Sequence, residues 1–598
     1  MAKELPKRSE VKEEFTWKIE DVFPDTAAWE AELQNIQTKT AELAGMEGKV
    51  TASAENLLST LEQNAALDLM VSRTFHYASR LSDVDTKNST NQAMVQRISS
   101  IATQVSSKLA FIDPEILATD ASILEDYITK LPALELYRGQ IAEIQRLKPH
   151  SLSTEMEKVL AMSADMGRTP NQTYSIFTNS DMTFPEVIDE NGDTVRITHG
   201  RFVGLQNSQD RNVRKDTFEK FYHTYDQYKN TLASLYSGQV KKLMFNASLR
   251  KYNSTLEASV DGNNVSPIVY ENLVTTINKN LDKLHRYVSL RKKLLNVEEL
   301  HMYDIYAPMI PDFAKKIPYE EAKETVLKAL APLGEDYVKL VEEGFNSRWI
   351  DVYENEGKRS GAYSAGCYGV HPYVLLNYNN TLDNMFTLAH EMGHAIHSYL
   401  SNETQPYIYS RYKIFVAEVA STCNEILLME YLLKNTTDKR ERAYLLNHYM
   451  DKFKGTVFRQ TMFAEYEKET NRMAEAGQSL TADVLSKVYH DLNCKYYGPD
   501  MISDPEIAVE WARIPHFYMN FYVYQYATGF TSAVAIAHNI LEKGAPAVEA
   551  YKQFLSGGCT KSPVELLKIA GVNLETPEPI QNALNVLDNI LNEMEALV

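Results

Sequence analysis

From about residue 25 onward, apolar side chains recur at three- and four-residue intervals, as in Leu57–Leu61, Ile98–Leu109 and Leu281–Leu295. That is the period of a helix with one face toward a core, so the sequence predicts a mainly α protein. Two places break the period. Val187-Ile188 and Val195-Arg196-Ile197 flank Asn191-Gly192, a dipeptide that accepts φ > 0 in a tight turn, and predict one hairpin within Thr183–Ile197. A second β element is expected in Gly361–Asn380, where short β-favouring runs are punctuated by glycines and Pro372. Near the end, Ser562-Pro563-Val564-Glu565 reads as a helix start, and Thr576-Pro577 opens a last helix with Ile580, Leu584, Leu587, Leu591 and Met594 on one stripe. The expected division is a tail over residues 1–20, a helical N-terminal domain over 21–200 and a larger domain over 201–598.

Composition narrows what such a chain does. With 598 residues, 44% apolar and 24% charged, it is long enough for more than one core, which excludes disordered and fibrous classes. The balance of 61 basic against 80 acidic residues gives a net charge of −19, and no Lys/Arg block runs through the chain, so no nucleic-acid partner is expected. Cys367, Cys423, Cys494 and Cys559 form no CxxC pair, which argues against a zinc knuckle or a disulfide framework and matches a reducing compartment. The charged start Met1-Ala2-Lys3-Glu4 leads into no apolar signal region, and no uninterrupted apolar run reaches the roughly 18–20 residues of a membrane span. The expectation is a soluble cytoplasmic protein without a membrane partner; oligomeric state is not legible.

The most specific chemistry lies in His390-Glu391-Met392-Gly393-His394, an H-E-x-x-H motif. Thr381 or Asp383 can cap a helix whose apolar stripe is Met385, Leu388, Ala389, Met392, Ile396 and Tyr399, with His390 and His394 roughly opposite. Histidines four apart stand on consecutive turns, about 6 Å apart along the axis, so both imidazoles can converge on one ion. His397 lies seven residues from His390, about 10 Å along the axis, too far to join them on a straight helix, and is expected to orient a ligand or to pack. The third ligand must come from another element. After Pro406, the run Phe415-Val416-Ala417-Glu418-Val419-Ala420-Ser421-Thr422-Cys423-Asn424-Glu425 predicts a second helix returning past the first. Glu418 and Glu425 share a face there, in a helix otherwise rich in apolar residues, where a carboxylate needs a partner. Glu418 is the expected third ligand, and Glu425 a candidate acceptor for the other N–H of a ligand imidazole, with an ordinary surface acid as the plain alternative. The expected cofactor is one Zn2+ per chain, although two imidazoles and a carboxylate also suit cobalt or manganese.

These residues and their spacing resemble the thimet-oligopeptidase-like zinc metallopeptidases, and within them the oligoendopeptidase F branch. Gly361-Ala362-Tyr363-Ser364, the stretch Pro515-His516-Phe517-Tyr518 through Gly529, and Leu555-Ser556-Gly557-Gly558 agree with that branch. The likeness covers roughly residues 200 to 585 and implies a two-lobed helical molecule with zinc in a deep channel that admits oligopeptides and excludes folded proteins. It also implies that a histidine and a tyrosine after Pro515 donate hydrogen bonds in the transition state, for which His516 and Tyr522 are chosen. Tyr518, Tyr522 and Tyr526, at four-residue spacing, are expected on one helical face, so Tyr518 or Tyr526 could take the role, and an aromatic stripe is also ordinary core. Gly361, Ala362, Tyr363 and Ser364 are expected to offer a strand edge to the substrate backbone.

The function so implied is a zinc-dependent endopeptidase cutting internal bonds of unfolded oligopeptides. Glu391, beside the open coordination position, would serve as general base. A zinc carboxypeptidase of similar architecture, with Arg411 or Arg513 as a possible cation for the substrate carboxylate, and a non-catalytic peptide-binding protein are the alternatives. The intact Glu391 argues against the last.

Overall fold

A computed structural model describes residues 4–310 and 315–598. The chain is mainly α, with three small sheets among the described residues. Its contacts group it into two compact units, each assembled from three stretches. One comprises Met1–Ser151, Lys315–Leu428 and Asn539–Ser562; the other comprises Leu152–Ala314, Met429–His538 and Pro563–Val598. This grouping is interleaved along the chain, a different kind of division from sequential boundaries at residues 20 and 200. Among the described residues no helix is long and apolar enough to cross a membrane.

The first unit begins with long helices, Thr26–Ala44, Ala54–Val84 and Ser89–Lys108, each started by a side chain that accepts an otherwise unpaired amide: Asp25, Ser53 and Asn88. Their periodic apolar faces meet in a core of fully buried Trp29, Ile36, Leu57 and Ile98. The Trp29 indole N–H donates to the Thr74 carbonyl at 2.9 Å, so the largest core side chain is also polar-satisfied. The same core reaches Cys367, Tyr373 and Leu375 of a three-stranded sheet. Val370–Leu375 is the central strand, parallel to Ile350–Asp351 on one side and antiparallel to Tyr363–Cys367 on the other, with an irregularity between Ala365 and Cys367. The β element expected in Gly361–Asn380 therefore forms, and Tyr363–Cys367 is an edge strand. The two-residue strand at Ile350 is too short to leave a period in the sequence.

In the second unit the predicted hairpin pairs Glu186–Ile188 with Thr194–Arg196. Its turn is longer than Asn191-Gly192 alone suggests. The Asp189 amide donates to the Asp193 carbonyl at 2.9 Å and the Gly192 amide to the Asp189 carbonyl at 3.0 Å, which leaves a three-residue loop with only Gly192 left-handed (φ 85). The last helix, Glu578–Leu597, buries Ile580, Leu584, Leu587, Leu591 and Met594, as the stripe predicts.

The interior of this unit also holds charge. Glu510, 4% exposed, accepts hydrogen bonds from Arg459 at 2.7 Å, Arg513 at 3.0 Å and the hydroxyls of Tyr222 and Tyr489. Burial opposes its ionisation, but the Arg459 and Arg513 guanidiniums and the Tyr489 hydroxyl outweigh burial and hold the carboxyl at about 2. Replacing Glu510 by Gln leaves two buried guanidiniums without their counter-charge and is expected to destabilise this unit by about 3–5 kcal/mol, read as a lower melting temperature. Because the folded value lies below the ordinary 4.5, the carboxylate's contribution is full above that pH and fades as pH falls toward 2. The E510Q penalty should therefore shrink in melts run between pH 4.5 and 2.

Candidate metal centre

The motif helix spans Leu382–Thr404, and Thr381 is its cap, accepting the Asn384 amide at 3.2 Å. Met385, Leu388, Ala389, Met392 and Ile396 are buried as expected, but so are Phe386, Glu391, Gly393 and His397 on the other flanks. The strands Tyr363–Cys367 and Val370–Leu375 pack on the helix, and the return helix, Ile414–Asn435, approaches it at Gly393. Gly393 makes that approach possible: a Cβ there would sit 2.5 Å from Ser421 Cα and 2.7 Å from the Ala420 carbonyl oxygen, closer than a real Cβ comes. Asn424 ties the two helices by donating to the Ala389 carbonyl at 3.1 Å and accepting from Tyr337 at 3.1 Å. Asn424 stands outside the residues that the motif marks; the signal it does carry is an amide among mainly apolar neighbours, a group that must be paired when buried.

The connection between the helices is held from a distance. Cys559 donates its amide to the Tyr409 carbonyl at 2.9 Å, and the Ser401 hydroxyl donates to the Ser410 carbonyl. Gly558 has φ 54, and a Cβ on it would fall 1.9 Å from the Tyr409 oxygen. Only glycine lets the Leu555–Gly558 segment press against this connection, which gives that motif a structural meaning.

Two imidazoles and a carboxylate converge where the helices face each other. His390 Nε2 and His394 Nε2 lie 3.2 Å apart, and Glu418 Oε2 is 3.4 Å from the first and 3.7 Å from the second. A tetrahedral ion about 2.0–2.1 Å from three ligand atoms requires them to be roughly 3.3–3.4 Å apart, so the three positions fit one divalent cation. The donor set agrees, since two imidazole nitrogens directed at each other and at a carboxylate oxygen are best reconciled by a cation between them. Glu418 departs from the expected burial: its side chain is 44% exposed, which leaves an open side to the cluster.

Glu425 Oε1 lies 2.6 Å from His390 Nδ1, the ring nitrogen that points away from the cluster, and a proton on Nδ1 would bridge the two. Burial works against protonation of His390, yet the bond to Glu425 keeps its pKa above the ordinary value. His394, without such a partner, is pushed by burial and by His390 down to about 3, and its ring bonds to the backbone of Ala417. Burial pushes the Glu391 carboxyl up to about 7; His390 opposes the rise while Glu418 and Glu425 add to it. Its Oε2 is buried without a hydrogen-bond partner among the described residues. His397 packs: it is 1% exposed and stacks on Tyr412 at 3.7 Å between ring centroids.

The remaining predicted residues fall into two groups. Tyr363 and Ser364 lie on the edge strand, with Gly361 and Ala362 just before it; Gly361 has φ 86, and its carbonyl accepts from Asn377 at 2.8 Å. Tyr363 is fixed by its hydroxyl, which donates to Asp83 at 2.7 Å. In the second unit, His516, Tyr522 and Tyr526 cluster, with ring centroids 5.4–6.2 Å apart and the Tyr526 hydroxyl 3.3 Å from His516 Nε2. The expected single helical face does not exist. Tyr518 ends a short 3-10 helix, Asn520 and Phe521 are left-handed, and the following helix starts at Tyr524, so the spacing of four spans an interruption between two helices. Tyr518 is buried and stacks on Tyr174 at 4.3 Å, a core position.

The profile of Peptidase family M3 matches residues 204–586, and that of an Oligopeptidase F N-terminal region matches residues 115–184. Oligopeptidase PepF of Bacillus subtilis is 47% identical over 597 residues, covering 100% of this chain and 89% of its own length. The crystal structure of oligoendopeptidase-F from Enterococcus faecium superposes with a TM-score of 0.75 at 38% identity, over 95% of this chain and 98% of that one. A crystal structure from Chlamydophila abortus superposes with a TM-score of 0.94 at 34% identity, covering 100% of both chains.

Gly393→Ala should separate the two helices: an overpacked core contact costs about 1–3 kcal/mol, and the metal content measured by mass spectrometry should fall with the melting temperature. Glu425→Ala should keep the fold and lower metal affinity by about 10–100-fold in a competitive chelator titration.

Proposed function

This chain belongs to peptidase family M3, and we propose that it is a zinc-dependent endopeptidase that cleaves internal bonds of unfolded oligopeptides. The observation that carries the reading is the convergence of His390, His394 and Glu418 at 3.2–3.7 Å, with the buried carboxyl of Glu391 one residue from a ligand. His390, His394 and Glu418 would hold zinc, which when bound supplies Lewis acidity that lowers the pKa of a water in the open position toward about 7.

Glu391 takes the proton of the attacking water on its unpartnered oxygen and later delivers it to the leaving amine. A buried carboxyl in the residue after a ligand histidine is placed to hold the proton between the two halves of that transfer. Glu425 keeps the His390 ring oriented throughout. His516 and Tyr522 donate hydrogen bonds to the oxygen on which negative charge develops, a role supported by the family resemblance and by their grouping with Tyr526. The strand edge at Tyr363 and Ser364 pairs with an extended substrate backbone, which favours tolerance of many side chains.

The carboxypeptidase alternative needs a cation for the substrate's terminal carboxylate. Arg513 is taken up by Glu510 and lies over the rings of Phe202 and Phe221, and Arg411 bonds to Tyr407 and lies 3.4 Å from Asp68. Both candidates are engaged, which favours internal cleavage.

Digestion of an unstructured peptide about a dozen residues long, followed by mass spectrometry, is expected to give internal fragments that a chelator abolishes and that zinc restores, with a folded control protein left intact. Single-residue ladders from the C-terminus would support the carboxypeptidase. Glu391→Gln should lower turnover by about 100–10,000-fold with metal content unchanged; wild-type turnover in that variant would remove Glu391 from the mechanism.

A further inference from the structure

Between the 3-10 helix Pro515–Tyr518 and the helix Tyr524–Lys543, the backbone turns through two consecutive left-handed residues, Asn520 (φ 52) and Phe521 (φ 59). Asparagine tolerates this region; phenylalanine is an outlier there and stays only where its surroundings force it. Two side chains distant in sequence do so. The Phe521 amide donates to the carboxyl of Glu467, on the helix Arg459–Glu475. Gln239 donates to the Tyr518 carbonyl at 3.1 Å and to Asn520 Oδ1 at 2.8 Å, holding the other side of the elbow. The next residue in the chain is Tyr522, with its ring 6.2 Å from His516 and 5.4 Å from Tyr526.

We propose that Glu467 is a positioning residue for the peptidase reaction: by clamping the Phe521 amide it fixes the left-handed elbow and sets Tyr522 against His516. The inference rests on the reading of His516 and Tyr522 as transition-state donors. Glu467 is a poor choice for stability alone. It is 1% exposed, its Oε2 has no hydrogen-bond partner among the described residues, and an apolar side chain would fill that interior without the desolvation penalty. What an apolar side chain lacks is an acceptor for an amide whose residue is held where phenylalanine does not belong. Without it, Phe521 has a buried, unpaired N–H and is free to leave the left-handed region, which swings the backbone that carries Tyr522. Burial pushes the carboxyl up to about 8, so a neutral acceptor suffices at neutral pH.

The test compares Glu467→Ala, which removes the acceptor, with Glu467→Gln, which keeps it. On a fluorogenic oligopeptide with the zinc-loaded protein, E467A is expected to lower kcat by about 10–100-fold while KM changes by less than about 3-fold, because a donor misplaced by about 1 Å loses transition-state stabilisation and little ground-state binding. E467Q should restore kcat to within about 3-fold of the parent, and in a Tyr522→Phe background E467A should add less than about 2-fold. Independent losses that multiply, or an E467A enzyme with parental kcat, would overturn the proposal. Hydrogen exchange at the Phe521 amide, expected to rise in E467A and not in E467Q, reads the clamp without using activity. If Y522F alone is fully active, the donor reading fails; unchanged Phe521 exchange in E467A is the separate failure of the clamp. Should E467A not fold, Gln239→Ala loosens the same elbow from its other side and must show the same split between kcat and KM.

Discussion

The candidate metal centre depends on how closely two helices can pass at Gly393. Histidines four residues apart fix two nitrogens on one helix, but the third atom comes from a separate helix, and nothing in the motif itself sets that distance. It is set where the Gly393 backbone meets Ser421 with no room for a methyl group, and where Asn424 bonds to the Ala389 carbonyl. A ligand sphere tolerates errors of only a few tenths of an ångström. The helix contact is therefore part of the site, as much as the three side chains it brings together.

The sequence made that centre legible because its parts are local. A period of 3.6 reveals each helix, a spacing of four puts two imidazoles together, and a spacing of seven puts Glu418 and Glu425 on one face. The edge strand was readable for the same reason, since alternation and punctuating glycines are short-range signals. What escaped was long-range. Phe521 carries no local mark of a left-handed elbow, and the side chains that impose it lie on helices remote in sequence, at Gln239 and Glu467. The four-residue spacing of Tyr518, Tyr522 and Tyr526 therefore suggested a helical face that tertiary bonds do not allow. The hairpin around Asn191-Gly192 forms with Gly192 left-handed, and only its turn differs: Asp189 accepts the Asn191 and Asp193 amides and so favours the three-residue loop.

Buried carboxyls divide by what they touch. Glu510 is met by two guanidiniums and two hydroxyls and is held at about 2, a fully satisfied group whose work is to hold elements together. Glu391 and Glu467 each keep an oxygen without a hydrogen-bond partner among the described residues, and burial raises them to about 7 and about 8. Leaving polar atoms unpaired in the interior destabilises a fold, so such groups call for an explanation outside stability. For Glu391 the proposed function offers one, the attacking water whose proton it would take; for Glu467 it is the single amide of the elbow. The same physics then makes different demands. A proton shuttle needs both protonation states near neutral pH, which only an ionisable group provides, whereas an anchor for an N–H needs one well-placed oxygen and is indifferent to charge. An amide in place of each carboxyl separates these requirements, because it keeps the acceptor and the volume and removes only the proton transfer.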